Sequence, residues 1–323
     1  MPAVFPQGNR YSTGVLCDHL CFGPLLFAHR GYHLESPENS LVSFQRALDV
    51  GADVLEMDVR MTVDGQIVVV HDADGRRVAE NRSEITTLRY EELARWNLRN
   101  GQQAQPLRAD PVRVPRFVDV LEAFPEVALN VDIKQVEPDP VPDLVRLIVE
   151  RGAAERVLLT SFSSINIKRV LAVGYPGPVG CSQADVAREL FGPEAWSVAR
   201  RSGQKRRPFW RLANQRAVDP KGAPARPACR RLQVPLSFGA LRLDTRAVIE
   251  RAHRLGHRVD YWVVDDPREA ARLLDLGADG IVTDNLPAIA QVFARHVRTS
   301  GYRARMPASV ASLSSDRRVG SVK

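Results

Sequence analysis

LLFAHRGYHLESPENSLVSFQRALDVGADVLEMDVRMTVDGQIVVVHD, residues 25–72, holds two apolar strand-like runs on either side of an amphipathic helix and a third run directly after a turn. The first run ends at His29-Arg30-Gly31. The helix is predicted over residues 40–50, with Asn39 or Ser40 as N-cap and Gly51 as its stop. The second run, residues 54–61, sets Val54, Glu56, Asp58 and Arg60 on one face and Leu55, Met57 and Val59 on the other. Successive side chains of a strand alternate, so both carboxylates point the same way. Asp64-Gly65 is a turn dipeptide, and the run after it delivers His71 and returns the chain beside the second strand.

The same punctuation continues outward. Apolar runs are expected at residues 127–133 and 157–160, near Val179, and at 232–235, 259–264 and 281–283. Helices are expected near 142–151, after Ser164, at 245–255 and 267–276, and from about Pro287. Short strands nearly all separated by amphipathic helices imply parallel pairing with crossover connections. A single α/β (β/α)8 TIM barrel follows, and such a barrel of about 250 residues fits a chain of 323. Its active-site groups belong at the C-terminal strand ends. His29, Glu56, Asp58, Asp132, Lys134, Trp262 and Asp284 all fall there.

Three segments are predicted around that body: an N-terminal extension at 1–24, the barrel at 25–298, and a flexible basic tail at 299–323. A basic insert at about 197–231, before strand six, interrupts the barrel. The net charge of +7 is concentrated in these outer parts. Residues 201–231 hold ten Lys or Arg against Asp219, and residues 296–323 hold six against Asp316, which leaves the barrel itself acidic. Charge on one loop and one tail, not along one face, argues against a nucleic-acid partner. The insert is the one segment expected to touch an anionic membrane peripherally. A composition of 44% hydrophobic and 26% charged residues fills one ordinary core. With no apolar stretch of the roughly 18 residues a membrane span needs, and no basic head with an apolar leader, a cytoplasmic protein is expected. Cys17, Cys21, Cys181 and Cys229 form neither a zinc pattern nor a disulfide framework.

The chemistry implied is metal-assisted cleavage of a phosphodiester. Such a bond resists attack because its anionic oxygens repel nucleophiles and its leaving alkoxide is poor, so cations, a base and an acid are all needed. Glu56, Asp58 and Asp132 supply hard oxygen ligands suited to one divalent cation, Ca2+ or Mg2+. Arg30 offers a planar fork for phosphate oxygens, and Lys134, two residues beyond Asp132, a point charge on the same strand face. His29 and His71 remain for proton transfer, one as base and one as acid. Each of these taken singly has a bland reading as a structural or solvated residue; the specificity lies in the ordered set. His33, His253 and His257 read as ordinary surface residues.

The segment at 27–72, with VPRFVDVLEAFP from Val114, LNVDIK from Leu129, YWVV from Tyr261 and GADGIVTDNLP from Gly277, closely resembles the glycerophosphodiester phosphodiesterases over residues 25–295. That resemblance implies a TIM barrel and metal-dependent hydrolysis of small-molecule glycerophosphodiesters to an alcohol and glycerol 3-phosphate. It implies an acid/base pair at His29 and His71, metal ligands at Glu56 and Asp58, phosphate contacts at Arg30 and Lys134, and an aromatic pocket wall at Trp262. Glu38 and Asn39 match a motif that shapes the first loop beside the substrate. Asp132 stands where the family more often has Glu, and the loop after His71 is more polar than the family's. Two other activities fit the same barrel: a lysophospholipase D or sphingomyelinase D-like reaction, and non-catalytic phosphodiester binding. Oligomeric state is not legible.

Overall fold

Strand β1 (Leu25–Ala28) leads into the helix Leu41–Val50, whose ends are written in its sequence. Ser40 and Ser43 cap each other's backbone N–H groups, Gly51 closes the helix in the left-handed conformation at φ 109°, and Phe44, Ala47 and Leu48 form its buried stripe. This computed structural model describes residues 20, 24–99, 111–182, 186, 190, 231–238 and 241–300. The N-terminal extension apart from Leu20 and Pro24, the basic insert short of Arg231, and the tail beyond Ser300 lie outside the described residues.

The remaining strands are β2 (Val54–Met61), β3 (Ile67–Val69), β4 (Asp74–Gly75), β5 (Asn81–Glu84), β6 (Ala128–Ile133), β7 (Val157–Thr160), β8 (Arg231–Val234), β9 (Ser237–Phe238), β10 (Leu241–Arg242), β11 (Arg258–Tyr261) and β12 (Gly280–Thr283). Seven of them make a parallel sheet in the order β7-β6-β2-β1-β12-β11-β8. Helices Val141–Glu150, Ser164–Ala172, Arg246–Arg254 and Pro267–Leu276 provide crossovers. The predicted strand near Val179 is reduced to an isolated bridge to Leu159. It still joins the sheet's two edges: Gly180 N–H donates to Leu159 and Cys181 N–H to Arg231. A curled sheet whose edges meet at one segment is the arrangement of a TIM-type barrel.

Burial on both faces explains the composition of the strands. On β2, Leu55, Met57, Val59 and Met61 join the outer core against the helices, while Val54 joins Leu25, Phe27, Ala128, Leu158 and Val282 in a smaller apolar layer inside the sheet. Glu56 and Asp58 continue that inner face towards the C-terminal end. β3 returns antiparallel, pairing Val69 with Val59 as the Asp64-Gly65 turn predicts.

Three expectations are corrected here. The final helix, Leu286–Ser300, runs two residues past the predicted end of the barrel. Arg231, counted in the basic insert, is a barrel residue with no exposed side chain; its Nε donates to Asp260 at 2.7 Å and its guanidinium lies 5.4 Å from the Phe27 ring. His257 is not a surface group but buried, whereas His253 is exposed as expected and pairs with Asp279 at 2.6 Å. Among the described residues, no helix is long and apolar enough to cross a membrane.

Candidate active site

The residues predicted for chemistry gather at one end of the sheet because the register puts them there. Asp58 on β2 pairs with Asp132 on β6, and Asp132 with Thr160 on β7. Asp58 is fully buried and Asp132 and Glu56 nearly so. Lys134, just past β6, extends its ammonium between two of these acids, with Nζ 2.7 Å from Asp132 Oδ2 and 3.0 Å from Asp58 Oδ1. The Arg30 guanidinium approaches Asp58 from the first loop, its Nε 3.2 Å from Oδ2.

That first loop is tied down by backbone geometry. Arg30 and Asn39 both adopt φ 54° and Gly31 φ 79°, the left-handed region. At Gly31 a side chain has no room, since a Cβ there would lie 2.4 Å from Ser43 Oγ. The folded-back loop directs Arg30 N–H to Glu56 Oε2 at 2.9 Å. Asn39 braces Asp58 twice, its Nδ2 donating to Oδ2 at 2.9 Å and its Oδ1 accepting from the Asp58 backbone N–H at 3.2 Å. Glu38 holds the cations of the mouth: it accepts from Arg30 at 3.1 Å and from Arg77.

Each of the two predicted proton carriers has its own carboxylate. His29 Nδ1 lies 2.6 Å from Asp284 Oδ1, and His71 Nδ1 lies 2.7 Å from Asp72 Oδ1. For His29, burial works against the charged form, but the Asp284 hydrogen bond and the nearby Glu56 outweigh it and raise its pKa. For His71, burial wins over the pull of Asp58 and Asp72, and its pKa is lowered. Both imidazoles therefore sense the same group of buried acids. Asp284→Asn should remove the main support for charged His29 and move its limb of the pH–rate profile to lower pH. A profile of kcat/KM against pH that superimposes on the wild type's would contradict this.

The acids carry more negative charge than their neighbours neutralise. Burial pushes Glu56 up to about 7, with Asp58 adding to it, and burial pushes Asp132 up to about 6. For Asp58 burial is outweighed by Lys134 and Arg30, which hold it below the usual range. Asp58 Oδ1 and Asp132 Oδ1 are buried and accept no hydrogen bond, although Lys134 lies close to both carboxylates. Buried oxygens of this kind, in an all-oxygen donor set with surplus negative charge, fit a hard divalent cation.

Trp262 follows β11 and meets Phe162 edge-on at 5.2 Å, and Phe162 lies 5.1 Å from Lys134 Nζ. The aromatic wall thus adjoins the cationic centre. Phe162, Asp72, Arg77 and His33 are absent from the predicted site, and Asp284 is predicted at a strand end without a role. The strand-end rule locates Phe162, which follows β7 as Trp262 follows β11. His33, expected on the surface, turns inward, its Nε2 2.7 Å from Asp284 Oδ1. Among the described residues, the one group of three His, Cys, Asp or Glu side chains whose ligand atoms all lie within 4.8 Å is His29, His33 and Asp284. Glu56, Asp58 and Asp132 are spread more widely, with Asp58 and Asp132 sharing the Lys134 ammonium.

The profile of the Glycerophosphoryl diester phosphodiesterase family matches residues 29–288. A probable glycerophosphodiester phosphodiesterase 2 of Mycobacterium tuberculosis is 31% identical over 274 residues, 84% of this chain and 90% of that protein. A lysophospholipase D of Rattus norvegicus is 37% identical over 281 residues, 80% of this chain and 82% of that protein. Among solved structures, an Oleispira antarctica phosphodiesterase in complex with the product sn-glycerol-3-phosphate shares the fold with a TM-score of 0.61 at 18% identity, covering 84% of this chain and 97% of that one.

Proposed function

Because this chain belongs to the glycerophosphoryl diester phosphodiesterase family, we propose that it hydrolyses glycerophosphodiesters to an alcohol and glycerol 3-phosphate, with one Ca2+ or Mg2+ and with His29 and His71 as the acid and base. The observation that carries this reading is the pairing of each imidazole with its own carboxylate, Asp284 and Asp72, around a shared group of buried acids and cations.

Arg30 and Lys134 face the phosphodiester's anionic oxygens, the first as a planar fork and the second as a point charge. Glu38 and Asn39 act at one remove: Glu38 orients the Arg30 and Arg77 guanidinia, and Asn39 fixes Asp58. Glu56, Asp58 and Asp132 would hold the divalent ion. When bound, that ion neutralises the phosphoryl oxygens and polarises the phosphorus. One imidazole removes the nucleophile's proton and the other protonates the leaving alkoxide. Asp284 and Asp72 fix the rings so that the free nitrogen of each faces the substrate.

The full chain, given glycerophosphocholine and either Ca2+ or Mg2+, should release glycerol 3-phosphate and choline in equal amounts. Absence of turnover with every divalent ion would overturn the assignment. A second reading, hydrolysis of lysophospholipids, is favoured by Phe162, which is 48% exposed beside the cationic centre and offers an acyl chain an apolar path. Preference for lysophosphatidylcholine over glycerophosphocholine would select it.

A further inference from the structure

The hydrolysis proposed above leaves one histidine of the mouth without a task. His33 has a side chain only 20% exposed, and its Nε2 lies 2.7 Å from Asp284 Oδ1. The same oxygen lies 2.6 Å from His29 Nδ1. The two rings stand 6.3 Å apart between centroids and 75° from coplanar, so both turn an edge nitrogen toward one carboxylate oxygen.

We propose that His29, His33 and Asp284 form a second cation site, which takes a borderline transition metal such as Zn2+ and inhibits the enzyme when filled. It is distinct from the carboxylate site. Two imidazoles and one carboxylate are the donor set of borderline ions, whereas Glu56, Asp58 and Asp132 offer only oxygen, which suits Ca2+ and Mg2+. The two sites therefore sort ions by softness.

The geometry needs little adjustment. Zinc binds imidazole nitrogen and carboxylate oxygen at about 2.0 to 2.2 Å, which puts the ligand atoms of a tetrahedral shell about 3.3 to 3.5 Å apart. Here the three atoms lie within 4.8 Å of one another, and the two nitrogen–oxygen separations have only to open from 2.6 and 2.7 Å. His33 sits in the turns between β1 and the helix Leu41–Val50, where side-chain rotation suffices.

Inhibition follows from which atom is used. His29 Nδ1 is the nitrogen that Asp284 holds. Coordination there puts the ring's remaining proton on Nε2 and exchanges the Asp284 hydrogen bond for a bond to the cation. The imidazole then no longer cycles a proton, and a dication stands where the substrate's proton carrier should be.

The activity readout rests on the function proposed above, so a second readout is independent of it. With saturating Ca2+, Zn2+ should inhibit the wild type, and His33→Ala should raise the inhibition constant at least about tenfold, the lower end of what disturbing even an outer partner of a metal costs. Each variant is compared with its own zinc-free rate. His33→Gln, which keeps a hydrogen-bonding group beside Asp284 but no imidazole, should behave as His33→Ala does. Separately, Co2+ added to His71→Ala protein in excess Ca2+ should give the visible absorption of nitrogen-bound cobalt, and the further change His33→Ala should abolish it. Equal zinc inhibition of wild type and both His33 variants, or a cobalt spectrum indifferent to His33, would overturn the proposal. If no variant hydrolyses any substrate, the cobalt spectrum alone decides.

Discussion

Replacing His71 by alanine is expected to lower kcat by about 10²- to 10⁴-fold, the range a positioned proton carrier contributes. His71 lies two residues beyond the return strand β3, 2.7 Å from Asp72, and is partly exposed at 31%, so its ring is held by one partner. Alanine removes the proton carrier and leaves Arg30, Lys134 and the carboxylates in place, so KM should change far less than kcat. His29→Ala should fall in the same range, because the reaction needs both an acid and a base and neither imidazole substitutes for the other. Full activity in either variant would refute the roles assigned.

Replacing Lys134 by methionine should have the largest combined effect on stability and rate. Its ammonium lies 2.7 Å from Asp132 and 3.0 Å from Asp58, two buried carboxylates paired in register. Removing one partner of a buried ion pair costs roughly 3 to 5 kcal/mol, because the remaining charge is left unpaired. The loss should depend on pH with a definite sign. Burial already pushes Asp132 up to about 6, and without the ammonium it rises further while Asp58 loses the largest of the attractions that hold it low, so ionisation of this pair favours folding less than in the wild type. The penalty is then larger at pH 8 than at pH 5, where the acids take up protons. Ca2+ or Mg2+ should restore part of the loss, since a ligand that binds only the folded state stabilises it. Activity should fall by about 10²- to 10³-fold, the cost of removing one group that stabilises transition-state charge. Thermal denaturation across pH, with and without the ion, checks the first part; an unchanged melting temperature at pH 8 would contradict it.

Much of the fold is readable because its strands and helices carry their own boundaries. β1, β2, β7 and the helix Pro267–Leu276 fall where the apolar runs, caps and stops put them. The segment near Val179 reads as a strand and makes only a bridge, because its pairing depends on what Leu159 and Arg231 present on either side. Arg231 itself shows why charge counting misleads: the residue continues a basic run in the sequence, yet the topology seals it against Asp260.

In the site, strand alternation is enough to place Glu56 and Asp58 on one face, and the strand-end rule is enough for His29, His71, Lys134 and Trp262. The partners are not visible in the same way. Asp284 is separated from His29 by 255 residues, and β1 and β12 must pair before they meet. His33 reads as a surface residue because no periodicity reaches into a loop. Its inward turn is set by the left-handed backbone at Arg30, Gly31 and Asn39 and by the Asn39 brace on Asp58.

The central claim is that this cluster of acids and imidazoles hydrolyses a glycerophosphodiester only with a hard dication in place. Phosphorus NMR of glycerophosphoethanolamine mixed with chelator-treated full-length chain follows this most directly. The diester resonance should persist unchanged until Ca2+ or Mg2+ is added, then give way to that of glycerol 3-phosphate. Conversion before the ion is added, or a diester that survives every ion, would contradict it.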